Sequence, residues 1–167
     1  MIRWRNSCFL AITLLGFAAC RSDGLTRPEK QEFEAIDRAL ASYASSPLED
    51  RPIRLQELED IGVNTPRMTI LKAACLDARK ALLQSEQLIQ KIKVDTRELE
   101  TSITSMKDHQ VAGTDADGGL LEKIAGLSRT ANATKLELDK AMAEAERLLA
   151  SCQKNRIATR ALVIENP

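Results

Sequence analysis

Residues 66–106, PRMTILKAACLDARKALLQSEQLIQKIKVDTRELETSITSM, decide the fold. Within them Met68, Leu71, Cys75, Ala78, Leu82, Ser85, Ile89, Ile92, Thr96, Leu99, Ile103 and Met106 recur at alternating intervals of three and four. That is the heptad signature of a helix with one apolar seam. Ten of the twelve are apolar, counting Ala and Cys, so the seam is sustained rather than incidental. Pro66 behind Asn64-Thr65 opens the helix, since proline is best tolerated at the first helical position. The spacing predicts one helix over about 66–111.

Downstream, the run Gly113-Thr114-Asp115-Ala116-Asp117-Gly118-Gly119 breaks it. A third helix, about 119–162, carries its own seam: Leu120, Ile124, Leu127, Ala131, Thr134, Leu138, Ala141, Ala145, Leu148 and Cys152. Two long helices joined by a short glycine-rich loop fold back as an antiparallel hairpin. Midway between Cys75 and Cys152 lies residue 113 or 114, close to the centre of that loop. Both cysteines lie on the seams, so the fold-back sets them opposite each other, and a Cys75–Cys152 disulfide is expected.

Ahead of the hairpin, Thr26-Arg27-Pro28-Glu29 reads as a capping box, and Phe33, Ile36, Leu40 and Tyr43 follow on one face. This predicts a first helix over about 27–46. Residues 47–65 read as a linker with a short helix around Leu55–Ile61. The hairpin's apolar stripe is wide toward the cysteines: Ile70, Ala73, Ala74, Leu76, Ala81, Leu83 and Leu88 lie off the seam of the second helix. On the third, Leu136, Met142, Ala143, Leu149, Ala150, Ile157 and Ala158 do the same. Toward the loop only Val94 does on the second helix. A wide stripe needs more than one neighbour. The expectation is an all-α domain over 26–164: a long antiparallel coiled-coil hairpin with the first helix packed on its base as a three-helix bundle. Charge divides along the same axis, about +7 over 67–80 and 147–160 and about −5 over 95–122.

At the other end of the chain, Arg3 and Arg5 precede an uncharged apolar run over 7–19. A positive start, a short apolar stretch and small residues form a secretory signal. The run falls short of the roughly 20 residues that span a bilayer. Phe17-Ala18-Ala19-Cys20 resembles the lipobox of bacterial lipoproteins, with Phe17 where Leu is usual. The resemblance implies cleavage after residue 19, a diacylglycerol thioether and an acylated amine on Cys20, and a lipidated tether over 20–25. Arg21 stands where an Asp would favour inner-membrane retention, so the resemblance implies an outer-membrane destination. No cofactor other than this covalent lipid is expected.

The processed chain, from Cys20, would keep 22 bases against 24 acids, with Phe33 and Tyr43 as its aromatics. Neither a basic excess nor stacking rings point to nucleic acid or to a small-molecule substrate. His109 has no nucleophile or metal ligand at helical spacing. Asp115 and Asp117 lack the remaining oxygen ligands of a calcium loop. Glu57/Glu59 and Glu98/Glu100, two apart on helices, do not face each other. The reading is a non-enzymatic, periplasm-facing lipoprotein acting as scaffold, assembly factor or regulatory subunit. Its expected contacts are the membrane, through its lipid, and an envelope protein or a second copy, through helices. A pilotin-like secretion role and a surface-exposed adhesin or host-factor binder are the alternatives. On this reading Leu99, Ile103, Leu121 and Ile124 at the loop end face a partner or each other. Asp95, Glu98, Asp115 and Asp117 steer the encounter, and the basic end lies by the lipid headgroups.

Overall fold

The computed structural model describes residues 24–111 and 118–164, with the side chains of 109–111 and 164 left aside. The signal segment, Cys20, Arg21, the side chain of His109 and the loop acids Asp115 and Asp117 lie outside what it describes. Its elements are α1 (Arg27–Ser45), a 3-10 turn (Leu48–Asp50), α2 (Arg51–Asp60), α3 (Pro66–Val111) and α4 (Gly118–Ile164). The fold is all-α, and α3 and α4 are the long antiparallel hairpin.

Each helix begins where its chemistry places it. Thr26 and Glu29 form the capping box: the Glu29 N–H donates to the Thr26 hydroxyl at 3.4 Å, and the Glu29 carboxylate accepts from the Thr26 N–H at 2.8 Å. The start of α3 is closed from outside instead. Glu32 of α1 accepts from the N–H of Asn64 at 2.8 Å and from the Thr65 hydroxyl at 2.6 Å. The Thr65 hydroxyl, the desolvation it works against and the two backbone donors leave the Glu32 carboxyl below its ordinary value. The Lys72 ammonium donates to the carbonyls of Glu59 and Ile61 at 2.6 and 2.7 Å. It thereby satisfies orphan carbonyls at the end of α2, where a cation is also favoured by the helix dipole.

The seams behave as their periodicity requires. On α4 none of the seam residues from Leu120 to Cys152 is exposed, and Thr159, further along the same register, is buried. Its hydroxyl donates to the Asn155 carbonyl at 2.8 Å, so a polar seam residue satisfies itself within its own helix. Cys75 and Cys152 are bonded, with their Cα atoms 4.7 Å apart, inside a core of Leu25, Phe33, Ile36, Leu40, Leu58, Met68, Leu71 and Ala78.

Three features differ from the expectation. The short helix expected around Leu55–Ile61 is present as α2, but it starts at Arg51, returns antiparallel to α3 and buries Leu58 completely, so the base has four helices. Leu25, assigned to the tether, is a core residue. Toward the loop, Thr96 is exposed, while Asp95 and Ser102, one position earlier than expected, are covered. Thr96 gains little from burial, whereas Asp95 is held by Lys91 at 3.2 Å, and Lys91 also donates to Thr134 of α4 at 2.9 Å. A heptad pattern fixes the contact face only where large apolar side chains enforce it.

Gly126 lies inside α4, and a Cβ built there meets nothing within 4 Å. Alanine removes the backbone-entropy cost of a helical glycine without a clash. Gly126→Ala is expected to stabilise the protein by about 0.5–1 kcal/mol. Thermal unfolding followed by circular dichroism checks this, with a rise of about 2–4 °C per kcal/mol.

Candidate functional site

Antiparallel α3 and α4 leave a groove on each side of their seam. One of them seats α1. Starting beside Arg67, which Glu29 approaches at 3.7 Å, α1 runs parallel to α3 until the Tyr43 hydroxyl donates to the Arg79 carbonyl at 3.2 Å. On its α4 side Asp37 accepts from Arg156 and, at 2.9 Å, from Arg160. The chain then turns through residues 46–50, and Arg51 bonds Glu86.

Beyond that turn the groove continues without a tenant. Leu82, Ser85 and Ile89 of α3 and Met142, Ala145 and Leu149 of α4 line it, with Glu86 and Glu146 at the rim, around about 200 Å³ of open space. The apolar positions recur at helical spacing on both walls, so the groove is shaped for another helix. Ser85 donates to the Ala81 carbonyl at 3.0 Å and so presents no unpaired hydroxyl to the floor.

A polar cluster closes the α1 end of the groove. The buried Tyr43 ring lies between the guanidinium groups of Arg51 and Arg79, at 5.5 and 5.3 Å from its centroid. Such contacts are attractive through the ring quadrupole. Burial, with Glu86 acting in the same sense, pushes the Tyr43 phenol above its ordinary value. Burial likewise pulls the Arg79 guanidinium down, and Arg156 and Arg51 add to that against the opposing Tyr43 and Glu86. Glu86 uses one oxygen on Arg51; its other oxygen, Oε2, is buried without a hydrogen-bond partner. An unmet acceptor of this kind costs about 1–3 kcal/mol.

The loop-end residues expected to meet a partner are divided. Leu99, Ile103 and Ile124 are half-buried between the two helices. Leu121 points outward, 52% exposed. Glu98 is held by Lys123 at 3.0 Å. The side chain of Asp95 is only 16% exposed and paired with Lys91, so it is poorly placed to steer an encounter.

At the basic end much of the charge is paired within the protein. Glu29 faces Arg67, Glu59 binds Lys80 at 3.1 Å, and Asp37 bridges Arg156 and Arg160. Residues 27–60 hold nine acids against five bases, and they neutralise most of the hairpin's basic end internally. Nor does α1 cover the outer face of α4: Ile157 is 62% exposed, and Ile70 on α3 is 65% exposed. The signal for the pairing was the acidity of 27–60, opposite in sign to the hairpin's basic end.

Among the described residues, no three His, Cys, Asp or Glu side chains stand together as metal ligands, and no helix is long and apolar enough to cross a membrane. No family model, curated protein or solved structure matches the chain.

Proposed function

We propose that this protein is a non-enzymatic lipoprotein of the cell envelope, held in the outer membrane through lipid on Cys20 and facing the periplasm. It acts as a scaffold, assembly factor or regulatory subunit by accepting a partner's amphipathic helix. The observation that supports this most directly is the vacant continuation of the α1 seat between α3 and α4, walled by Leu82, Ile89, Met142 and Leu149. The chain already uses this geometry on itself: α1 fills the lower part of the groove with Phe33, Ile36, Leu40 and Tyr43. An incoming helix would extend that packing by the same ridges-into-grooves contacts. The half-buried Leu99, Ile103 and Ile124 give the loop end a weaker second surface.

The test is affinity capture of the full chain from detergent-solubilised envelopes. Met142→Glu sets a charge on the groove wall at a position that is 43% exposed in the free protein, so helical content is expected to be unchanged. Capture of a discrete partner is expected to fall at least tenfold, the cost of burying an uncompensated charge in a helix interface being on the order of 2 kcal/mol or more. Undiminished capture by Met142→Glu rejects the groove. Cys20→Ala reads the anchor separately: a membrane fraction and mass unchanged from wild type reject lipidation. Digestion of the domain by protease added to intact cells would favour the surface-exposed alternative.

A further inference from the structure

We propose that the outer face of the last turns of α4 rests on an anionic bilayer surface, so that the base of the bundle lies against the headgroups through this helix. Three observations converge on that face. Residues 147–164 contain Arg147, Lys154, Arg156 and Arg160 and no acid. Arg156 is drawn inward by Asp37, which also holds Arg160 at 2.9 Å, and Arg147 is bonded to Glu144 at 2.6 Å; Arg147 and Arg160 still keep most of their side chains exposed, and Lys154 has no ion-pair or hydrogen-bond partner among the described residues. Apolar side chains lie beside these cations. Ala150 and Ile157 are a heptad apart on the outward row, with Ile157 62% exposed, and Lys154 stands one turn from Ala150. Apolar residues flanked by Lys and Arg on one exposed helix face are the arrangement that binds an anionic bilayer interface.

Charge sets which side of the base meets the membrane. The opposite side is the α1–α2 hairpin, where exposed Glu34, Glu49, Asp50 and Asp60 outnumber exposed Arg27 and Arg38. An anionic surface repels that side and attracts the α4 side. The chain enters the base at Gly24 and Leu25, beside Arg67 and the C-terminal turns of α4, whose Leu162 and Val163 pack in the same core as Leu25. Residues 20–24 span at most about 18 Å. This orientation rests on the lipoprotein reading for its tether, and the two fail separately in the experiment below.

The full chain is reconstituted in vesicles of phosphatidylcholine alone or mixed with phosphatidylglycerol, part of it brominated. Trp4→Phe removes the single native tryptophan, and Ile157→Trp or Val94→Trp supplies a reporter. Val94 is equally outward, 60% exposed, on the loop half of α3. The tryptophan introduced at 157 is expected to be quenched by bromolipid in phosphatidylglycerol vesicles and the one at 94 not. Lys154→Gln, added to Ile157→Trp, is expected to weaken the contact on the order of fivefold, the worth of one headgroup-level cation. Equal quenching at both positions, or none at 157 with phosphatidylglycerol present, overturns the proposal; circular dichroism verifies that each variant is folded. Intact mass reads Cys20 independently. Quenching at 157 with an unlipidated Cys20 keeps this face and rejects the anchor, and a lipidated Cys20 without quenching does the reverse.

Discussion

Replacing Cys75 and Cys152 together by alanine is expected to lower the unfolding midpoint by about 10 °C. The bond closes a loop with a sequence separation of 77. In the chain-entropy model a loop of that length removes roughly 4 kcal/mol of freedom from the unfolded chain. For a domain of this size each kcal/mol moves the midpoint by about 2–4 °C. Both cysteines are also core atoms, so alanine leaves a small cavity and adds to the loss. The unfolded chain of the variant is less constrained and exposes more surface, so the denaturant slope should rise along with the fall in stability. A midpoint within a few degrees of the wild type in non-reducing thermal scans would refute this account. So would two reactive thiols in the denatured, unreduced wild-type protein.

The second large effect separates the base from the loop half. Leu71→Ala is expected to cost about 2–5 kcal/mol, the range for emptying a closely packed leucine site. Leu71 is 1% exposed and is surrounded by the cluster that joins α1, α2, α3 and α4. Leu99→Ala, on the same seam four heptads later, is expected to cost less, about 1–2 kcal/mol, because that side chain is only partly buried and packs between two helices rather than four. Urea titrations of the two variants give the comparison directly. Equal losses would mean that the loop half is as tightly consolidated as the base, contrary to its burial.

Much of this was legible in the sequence because two long helices must satisfy one periodicity over many turns. The α4 seam can be read from Leu120 to Cys152, since an error of one residue would turn a whole row of leucines and alanines into water. The cysteine pair followed from the same register. What escaped has local causes. The short helix read around Leu55–Ile61 is α2, but its start at Arg51 escaped, because α2 offers only Ile53, Leu55 and Leu58 and Ile53 faces water. Its clue was Pro52 just inside a helix start behind Asp50, a punctuation signal rather than a hydrophobic one. Leu25, an apolar residue directly before the cap Thr26, was the clue that the tether ends one residue early. The one-residue shift at Asp95 and Ser102 could not be read, because it depends on Lys91 reaching Thr134 across the hairpin. The vacant groove depends on where α1 stops, which Ser45-Ser46-Pro47 does mark, but what lies beyond it on α4 is set by tertiary packing.

The core that contains Leu25 also contains Leu162 and Val163, and Asp37 is held by residues 119 and 123 positions further on. Early residues of the bundle are therefore packed by residues more than a hundred positions later. During synthesis α1 and α2 can pack on each other and on α3, but the core of the base stays open on one side until the later turns of α4 are made. Until then Phe33, Ile36 and Leu40 lack part of their final cover, and such transiently exposed apolar surface favours aggregation.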